Sequence, residues 1–229
     1  MKSIVSLTAG AIAVALVSSA DGAMIAGWSI TTAFPTGTGN VPTGQTYSVG
    51  AADQGDQTAG SSLSSYHLLA AATYTSPSGN GSQYSFSSNN WSIGDYYEAR
   101  VSTSNYANIS VSWDQARSST GPSSFELIFS IDGGSSWTTV TNYTVLQSGG
   151  GGSPATWSST VYSALYSSSQ ALAGAENASL LIVRFRSLVT AAATGSNRID
   201  NVVISGDLVP APGAVALLAV AGLASRRRR

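Results

Sequence analysis

The feature that most constrains the fold is a series of short segments in which apolar and polar side chains alternate, separated by clusters of Gly, Ser, Asn and Pro. In one of them, Tyr97, Ala99 and Val101 share one face while Glu98 and Arg100 share the other. Similar alternation recurs in residues 109–114, 125–131 and 181–186. Such alternation is typical of strands with one face in a core and the other in water. The pattern therefore predicts half-buried antiparallel strands, and helical periodicity lasts longest between residues 162 and 173.

Many such strands joined by glycine-rich turns indicate a sandwich or a barrel. We expect one all-β domain over residues 24–208, an antiparallel β-sandwich of jelly-roll-like topology, flanked by an N-terminal signal helix and a short C-terminal apolar helix. The length of 229 residues suffices for one domain with its own core. Residues 149–154 are rich in glycine and indicate a flexible loop inside this domain rather than a boundary.

Charge and cysteine content exclude several classes of function. Only 9% of the residues are charged, and residues 24–208 hold five Arg against ten acidic residues. An acidic domain without clustered Lys and Arg is not expected to bind nucleic acid. The chain has no cysteine, so disulfides and thiolate metal sites are excluded.

Residues 1–20 have the three parts of a secretory signal peptide. Lys2 is followed by an apolar run from Ile4 to Val17 and then by the small residues Ser18, Ser19 and Ala20. This order predicts export and cleavage after Ala20. The alternatives are a membrane anchor, for which the apolar run is short, and a core helix.

Residues 209–229 form a C-terminal tail with its own three-part order. Two prolines make a rigid extended joint, an apolar segment from Gly213 to Ala224 predicts a short helix, and four Arg close the chain. The Arg cluster would hold its end on the cytoplasmic side of the membrane during export. The candidate sorting residues are Val209, Pro210, Ala211, Pro212, Arg226, Arg227, Arg228 and Arg229.

This tail resembles the PEP-CTERM sorting signal, in which Val-Pro-Glu-Pro precedes an apolar helix and an Arg cluster. Ala211 stands in the position of the family's Glu. The resemblance covers the tail only. It implies an exosortase-like processing enzyme as partner, at least transient membrane association through the tail, and a destination at the cell envelope, the cell surface or outside the cell. A plain C-terminal membrane anchor is the alternative.

The strand pattern of the domain also resembles the jelly-roll sandwiches of exported bacterial proteins, among them carbohydrate-binding modules and laminin-G-like domains. The segments that carry this resemblance are residues 98–143, 181–186 and 198–204. It implies an adhesive or glycan-binding role.

The segment from Ser130 to Trp137 matches the Asp-box pattern Ser-x-Asp-x-Gly-x-Ser/Thr-Trp. In such a hairpin, Asp132 accepts hydrogen bonds from turn amides, Gly134 permits a positive φ, and Trp137 packs over the turn. Sialidases carry several copies, whereas this chain has one, so we expect a structural turn.

Acidic residues are candidates for catalysis because glycosidases use two carboxylates on opposite sides of the scissile bond. We expect each candidate to be solvated or to cap a turn. The alternative is a structural calcium site, because Ca²⁺ takes turn carboxylates and carbonyl oxygens, although no EF-hand spacing is present. No other cofactor is expected. The candidate pairs are Asp53 with Asp56, Asp95 with Glu98, and Asp114 with Glu126.

His67 is the only histidine and has apolar neighbours, so we expect a structural role. A Ser-His-Asp arrangement lacks the support of a Gly-x-Ser-x-Gly elbow in the sequence. In the final strand, Asp200 and Asn201 are expected to serve turn or ladder hydrogen bonds.

Aromatic side chains are the candidates for sugar binding, because pyranose rings stack their apolar faces on them. Trp113 has the parity of the core, whereas Trp91, Trp157 and Tyr96 lie in or beside polar stretches and are the candidate ligand-binding residues. We expect an exported, surface- or matrix-associated, non-catalytic protein whose partner is an extracellular polysaccharide. The alternatives are an exported hydrolase acting on polysaccharide and a purely structural matrix protein.

Overall fold

The computed structural model describes residues 22–31, 33 and 41–210, and the predicted signal helix and tail helix lie outside them. Twelve strands run through the described part of the chain. In chain order they are β1 (Ala23–Trp28), β2 (Thr46–Gly50), β3 (Ser62–Tyr66), β4 (Tyr74–Thr75), β5 (Phe86–Asn89), β6 (Tyr96–Val101), β7 (Tyr106–Arg117), β8 (Ser124–Ser130), β9 (Thr138–Thr144), β10 (Ser167–Ala171), β11 (Leu181–Ser187) and β12 (Ser196–Leu208). Two 3-10 turns, Gly150–Gly152 and Ala164–Tyr166, precede β10.

The strands form two antiparallel sheets. Sheet 1 has the order β10-β7-β12-β5-β4, and β1 also pairs with β12. Sheet 2 has the order β2-β3-β6-β11-β8-β9. The segment with helical periodicity, residues 162–173, forms a 3-10 turn and the edge strand β10 instead of an α-helix.

One hydrophobic core lies between the two sheets. Phe86 of sheet 1 packs on Tyr97 of sheet 2 with ring centroids 5.1 Å apart, and Trp113 of sheet 1 packs on Phe185 of sheet 2 at 5.0 Å. All four rings are nearly or fully buried, which accounts for the alternation in β6, β7 and β11. The prediction of an all-β antiparallel sandwich is therefore confirmed.

Strand β12 organises sheet 1. It pairs along one side with β7, and along the other side first with β5 and then with β1. Its register with β7 shifts between Asp200 and Val203, where Asn201 has a φ of 47°. Bulges of this kind redirect side chains. Because Ile199 points into the core, the neighbouring Arg198 and Asp200 lie on the outer face of sheet 1.

Two loops cover this outer face, residues 76–85 between β4 and β5 and residues 145–166 between β9 and β10. Asn80 of the first loop donates its backbone N–H to Asp200 (2.8 Å), and Trp157 of the second loop packs near Arg198. Among the residues in the described ranges, no helix is long and apolar enough to cross a membrane.

Candidate functional site

The three predicted aromatic residues fall in three separate places, and one of them is buried. Trp91 is only 1% exposed, and its indole N–H donates to the carbonyl of Ser88 at 3.0 Å. Its ring packs edge-on against Tyr97 and Phe125 of the core. The prediction of an exposed sugar platform at Trp91 is therefore wrong, because the hydrogen bond back to β5 turns the ring inward.

Tyr96 lies on the outer face of sheet 2 and is half-buried. It stacks on Tyr66 with ring centroids 5.4 Å apart, and the guanidinium carbon of Arg184 lies 3.8 Å from its ring centroid. The other side of Arg184 faces Trp137 at 4.2 Å, and its Nε donates to Glu98 at 2.6 Å. The Tyr96 ring therefore packs against both Tyr66 and Arg184, and the Arg184 guanidinium is already paired with Glu98.

Trp157 is the predicted aromatic residue that lines a cleft. The cleft has a volume of about 490 Å³ and lies beside the loop over sheet 1. The Trp157 ring is half-buried. The other lining residues offer hydroxyls, backbone groups and one cation: Ser148, Gly149, Ser153, Ala155, Thr156 and Arg198.

The Trp157 ring is fixed by contacts on several sides. Its indole N–H donates to the carbonyl of Ser78 at 2.8 Å, and its ring packs edge-on against Tyr166 with centroids 5.2 Å apart. The Tyr166 hydroxyl in turn donates to the carbonyls of Ala155 (2.8 Å) and Gln147 (3.2 Å), which belong to the loop that forms the cleft wall. Ring and wall are therefore positioned before any ligand arrives.

Arg198 brings a positive charge into the same cleft. Its guanidinium carbon lies 5.8 Å from the centroid of the Trp157 ring. Burial lowers the pKa of Arg198 from its ordinary value, although an arginine stays protonated at any physiological pH. Within the part of the chain that the structure describes, Arg198 has no ion-pair partner and its guanidinium makes no hydrogen bond. Sequence reasoning assigned Arg198 no binding role, because the partners of a strand residue depend on the loops folded over it.

A second polar cluster on the same sheet face was also not predicted. Asp114 and Asp200 lie in register on β7 and β12, and both are buried. Asn80 joins them: its backbone N–H donates to Asp200 and its side-chain amide donates to Asp114 at 3.0 Å. Burial raises the pKa of Asp200 to about 7, opposed by hydrogen bonds from Ser82 and from backbone amides. Asn201 donates its side-chain amide to Asp114 at 2.8 Å, a bond between two side chains and not a turn or ladder bond.

The acidic pairs considered from the sequence are engaged by other groups. Asp53 accepts hydrogen bonds from Ser29, and Asp56 accepts the hydroxyl of Tyr106 at 2.9 Å. Glu98 binds Arg100 and Arg184, and Glu126 binds Arg186. No group of three or more His, Cys, Asp or Glu in the described ranges is arranged to hold a metal ion.

His67 takes part in a buried Ser-His-Asp arrangement. Its Nδ1 lies 3.0 Å from Asp95, and its Nε2 lies 3.2 Å from the hydroxyl of Ser88. None of the three residues is more than 2% exposed. A substrate cannot reach a hydroxyl at this depth. The three side chains instead connect parts of the chain within the core, which agrees with the structural role expected for His67.

The Asp-box segment forms the hairpin between β8 and β9. Asp132 accepts the amide of Ser136 at 3.0 Å and hydroxyls from Ser130 and Ser136, which hold its pKa well below the ordinary range. Gly134 has a φ of 93°, and the Trp137 indole donates to its carbonyl at 3.1 Å. Asp132 and Gly134 serve the turn itself, and the Trp137 ring also faces Arg184.

The start of the candidate sorting motif is tied to the domain. The backbone N–H of Val209 donates to the carbonyl of Asn105 at 2.8 Å, next to the end of β12. Ala211, Pro212 and the Arg cluster lie outside the described residues.

No protein-family model matches the chain, and no curated protein sequence matches it. Among solved structures, a cleaved adhesin domain of Lys-gingipain from Porphyromonas gingivalis aligns with a TM-score of 0.43 and 11% identity, over 79% of this chain and 97% of that one. A carbohydrate-binding module specific for non-crystalline cellulose aligns with a TM-score of 0.34 and 15% identity, over 58% of this chain and 81% of that one. The CBM22-1 and GH10 modules of an endo-1,4-β-D-xylanase from Clostridium thermocellum, in complex with xylohexaose, align with a TM-score of 0.36 and 15% identity, over 58% of this chain and 24% of that one.

Proposed function

We propose that this chain is a non-catalytic glycan-binding or adhesive protein and that its ligand occupies the cleft beside Trp157. The observation that carries the proposal is a half-buried tryptophan, immobilised by its hydrogen bond to Ser78, in a cleft of about 490 Å³. This volume lies within the range of roughly 300–1,000 Å³ that is usual for small-ligand sites. A pyranose ring can stack its apolar face on the indole while its hydroxyls bond to the polar lining.

Because Trp157 is held rigidly, it is better suited to bind a ligand than an exposed, freely moving tryptophan would be. Ordering a side chain on association costs about 0.5–1.5 kcal/mol. Trp157 is already held by Ser78 and by the edge-on packing of Tyr166, so little of this cost remains. A single platform gives modest affinity, which suits adhesion through many copies along a polymer.

The described residues that line the cleft include no carboxylate and no histidine. A glycosidase needs a general acid close to the scissile bond. The acidic residues of the domain lie elsewhere: some are in ion pairs or turns, as Glu98 and Asp132 are. Asp114 and Asp200 form a buried pair beneath the loops and do not line the cleft. This supports a binding role over the alternative of an exported hydrolase.

The destination of the protein is proposed from its sequence. Residues 1–20 direct export, and the tail from Val209 to Arg229 directs exosortase-like sorting to the cell surface or matrix. Replacing Arg226 to Arg229 by Ala should leave the protein secreted but shift it from the envelope fraction to the medium, measured by immunoblotting of cell fractions. An unchanged distribution between the envelope fraction and the medium would contradict the proposed sorting role of the tail.

The binding proposal is tested with the purified full-length chain on an array of neutral and acidic polysaccharides. Trp157→Ala should abolish saturable binding, and Trp157→Phe should retain part of it because the phenyl ring keeps a stacking face. Trp137→Ala is the matched control, since it removes a half-buried indole outside the cleft. Equal binding by the parent and Trp157→Ala, or release of reducing sugar by the parent, would overturn the proposal.

A further inference from the structure

We infer that the glycan bound in the cleft is acidic and that Arg198 binds its carboxylate or sulfate group. This inference rests on the proposed function and names the class of ligand for the same site. It follows from the position of one unpaired cation in a domain where acidic residues outnumber basic ones.

The other described arginines all have partners. Arg100 and Arg184 share the carboxylate of Glu98, with Nε to oxygen distances of 2.5 and 2.6 Å. Arg186 binds Glu126 at 2.7 Å. The remaining one, Arg117, donates to the backbone carbonyls of residues 118, 119 and 145. Each of these four guanidinium groups therefore has at least one partner within the fold.

Arg198 differs from them in environment and in pairing. Burial lowers its pKa, so its charge has lost part of its hydration, yet no carboxylate of the described residues replaces the lost water. The Trp157 ring offers some compensation, but its centroid is 5.8 Å away, close to the limit of about 6 Å for a cation–π contact. The nearest acid along β12, Asp200, accepts hydrogen bonds from Asn80 and Ser82 instead.

A half-buried cation without a partner is unfavourable in the free protein and becomes favourable when an anion binds to it. The planar guanidinium matches a carboxylate or a sulfate by forming two parallel hydrogen bonds. Arg198 and Trp157 line the same cleft, so a sugar stacked on the indole can present an anionic substituent to the guanidinium. A uronic acid and a sulfated sugar share this chemistry.

The test measures binding of the full-length chain to pairs of polymers that differ only in charge. Polygalacturonate is compared with its fully methyl-esterified form, and dextran sulfate with dextran. We expect the parent to bind at least one charged polymer at least tenfold more tightly than its neutral counterpart, with affinity falling as salt rises. The charged polymer that binds identifies carboxylate or sulfate as the group recognised.

Variants separate this inference from the proposed function. Arg198→Gln should lose tenfold or more in affinity for the charged polymer, Arg198→Lys should lose less, and Arg100→Gln on the other sheet should bind as the parent does. Arg198→Lys keeps the test valid should Arg198→Gln fail to fold, which circular dichroism would reveal. Equal binding of charged and neutral polymers, abolished by Trp157→Ala but unaffected by Arg198→Gln, would overturn the inference and leave the proposed function standing. Charge-selective binding that survives both substitutions would overturn both.

Discussion

Asp114 on β7 and Asp200 on β12 lie opposite each other in register, buried beneath two loops, and are bridged by the backbone and side-chain amides of Asn80. One oxygen of Asp200 has no hydrogen-bond partner, although it is fully buried. An ionised carboxylate in this position is costly because no cation of the described residues neutralises it. The pair therefore couples the stability of the loops over sheet 1 to pH.

The first prediction concerns pH. The pKa of Asp200 is raised from 3.8 to about 7 in the folded protein, mainly by burial. Between these two pH values the folded state holds a proton that the unfolded state has lost, so the free energy of unfolding falls as pH rises. The contribution of this group should decrease by about 4 kcal/mol across that window and then level off.

Asp200→Asn cannot ionise and should remove this slope. Chemical denaturation at pH 5 and pH 8 should give the parent a lower free energy of unfolding at pH 8, while Asp200→Asn should change much less and exceed the parent at pH 8. Asp53→Asn, an exposed acid in a turn, is the control and should keep the parent's slope. A parent slope equal to that of Asp200→Asn would contradict the assignment.

The second prediction concerns Asn80, which is 1% exposed. Its side chain donates to Asp114 and to the carbonyl of Ser163 and accepts the amide of Ser163. Asn80→Ala leaves these buried groups without partners, at about 1–3 kcal/mol for each unsatisfied group. We expect a loss of about 3 kcal/mol in the free energy of unfolding. Urea denaturation measures it, and Asn142→Ala, an exposed asparagine on β9, should change stability by less than about 0.5 kcal/mol.

The third prediction separates the two tryptophans that looked alike in the sequence. Trp91→Ala empties a core site next to Tyr97 and Phe125 and should cost about 3–5 kcal/mol of unfolding free energy. Trp157→Ala removes a half-buried ring and should cost distinctly less, while abolishing glycan binding. Thermal unfolding of both variants, with binding assays on the folded fraction, tests the contrast. A larger loss of stability for Trp157→Ala would contradict it.

These two tryptophans show how far the sequence could lead. The alternation of apolar and polar residues predicted the strands and the inward face of β7, including Trp113. It could do so because the environment in a half-buried strand repeats at every second residue. Trp91 follows β5 among serines and asparagines, and its polar neighbours indicated exposure. Ser88 and Ser92 are themselves buried and hydrogen-bonded, so polarity of the neighbours did not reveal the direction of the ring.

The polar sites depend on contacts between distant parts of the chain. Asp114 and Asp200 are brought together only by the register of β7 and β12, and Asn80 reaches them from a loop that no periodicity describes. The Arg198 guanidinium likewise lies near Trp157 only because the loop over sheet 1 brings that ring to within 5.8 Å. Local sequence patterns contain no information about such pairings, whereas they do contain the information for the strands.

The last prediction concerns the cleft wall. Tyr166→Phe keeps the ring that packs on Trp157 but removes the hydroxyl that donates to Ala155 and Gln147. The loss of these bonds should cost about 1 kcal/mol of stability. It should also weaken glycan binding severalfold, because the loop that forms the wall is no longer held in place.

Tyr143→Phe is the matched control for this wall. Its hydroxyl donates to Gln115 at 2.7 Å beside the core, so its loss should have a similar effect on stability and none on binding. Isothermal titration calorimetry with the polymer that the parent binds best, alongside urea denaturation, measures both quantities for both variants. If the two variants lose affinity equally, the effect comes from general destabilisation. A loss confined to Tyr166→Phe means that the hydroxyl acts through the wall, because both variants remove a tyrosine hydroxyl but only that of Tyr166 holds the loop beside the cleft.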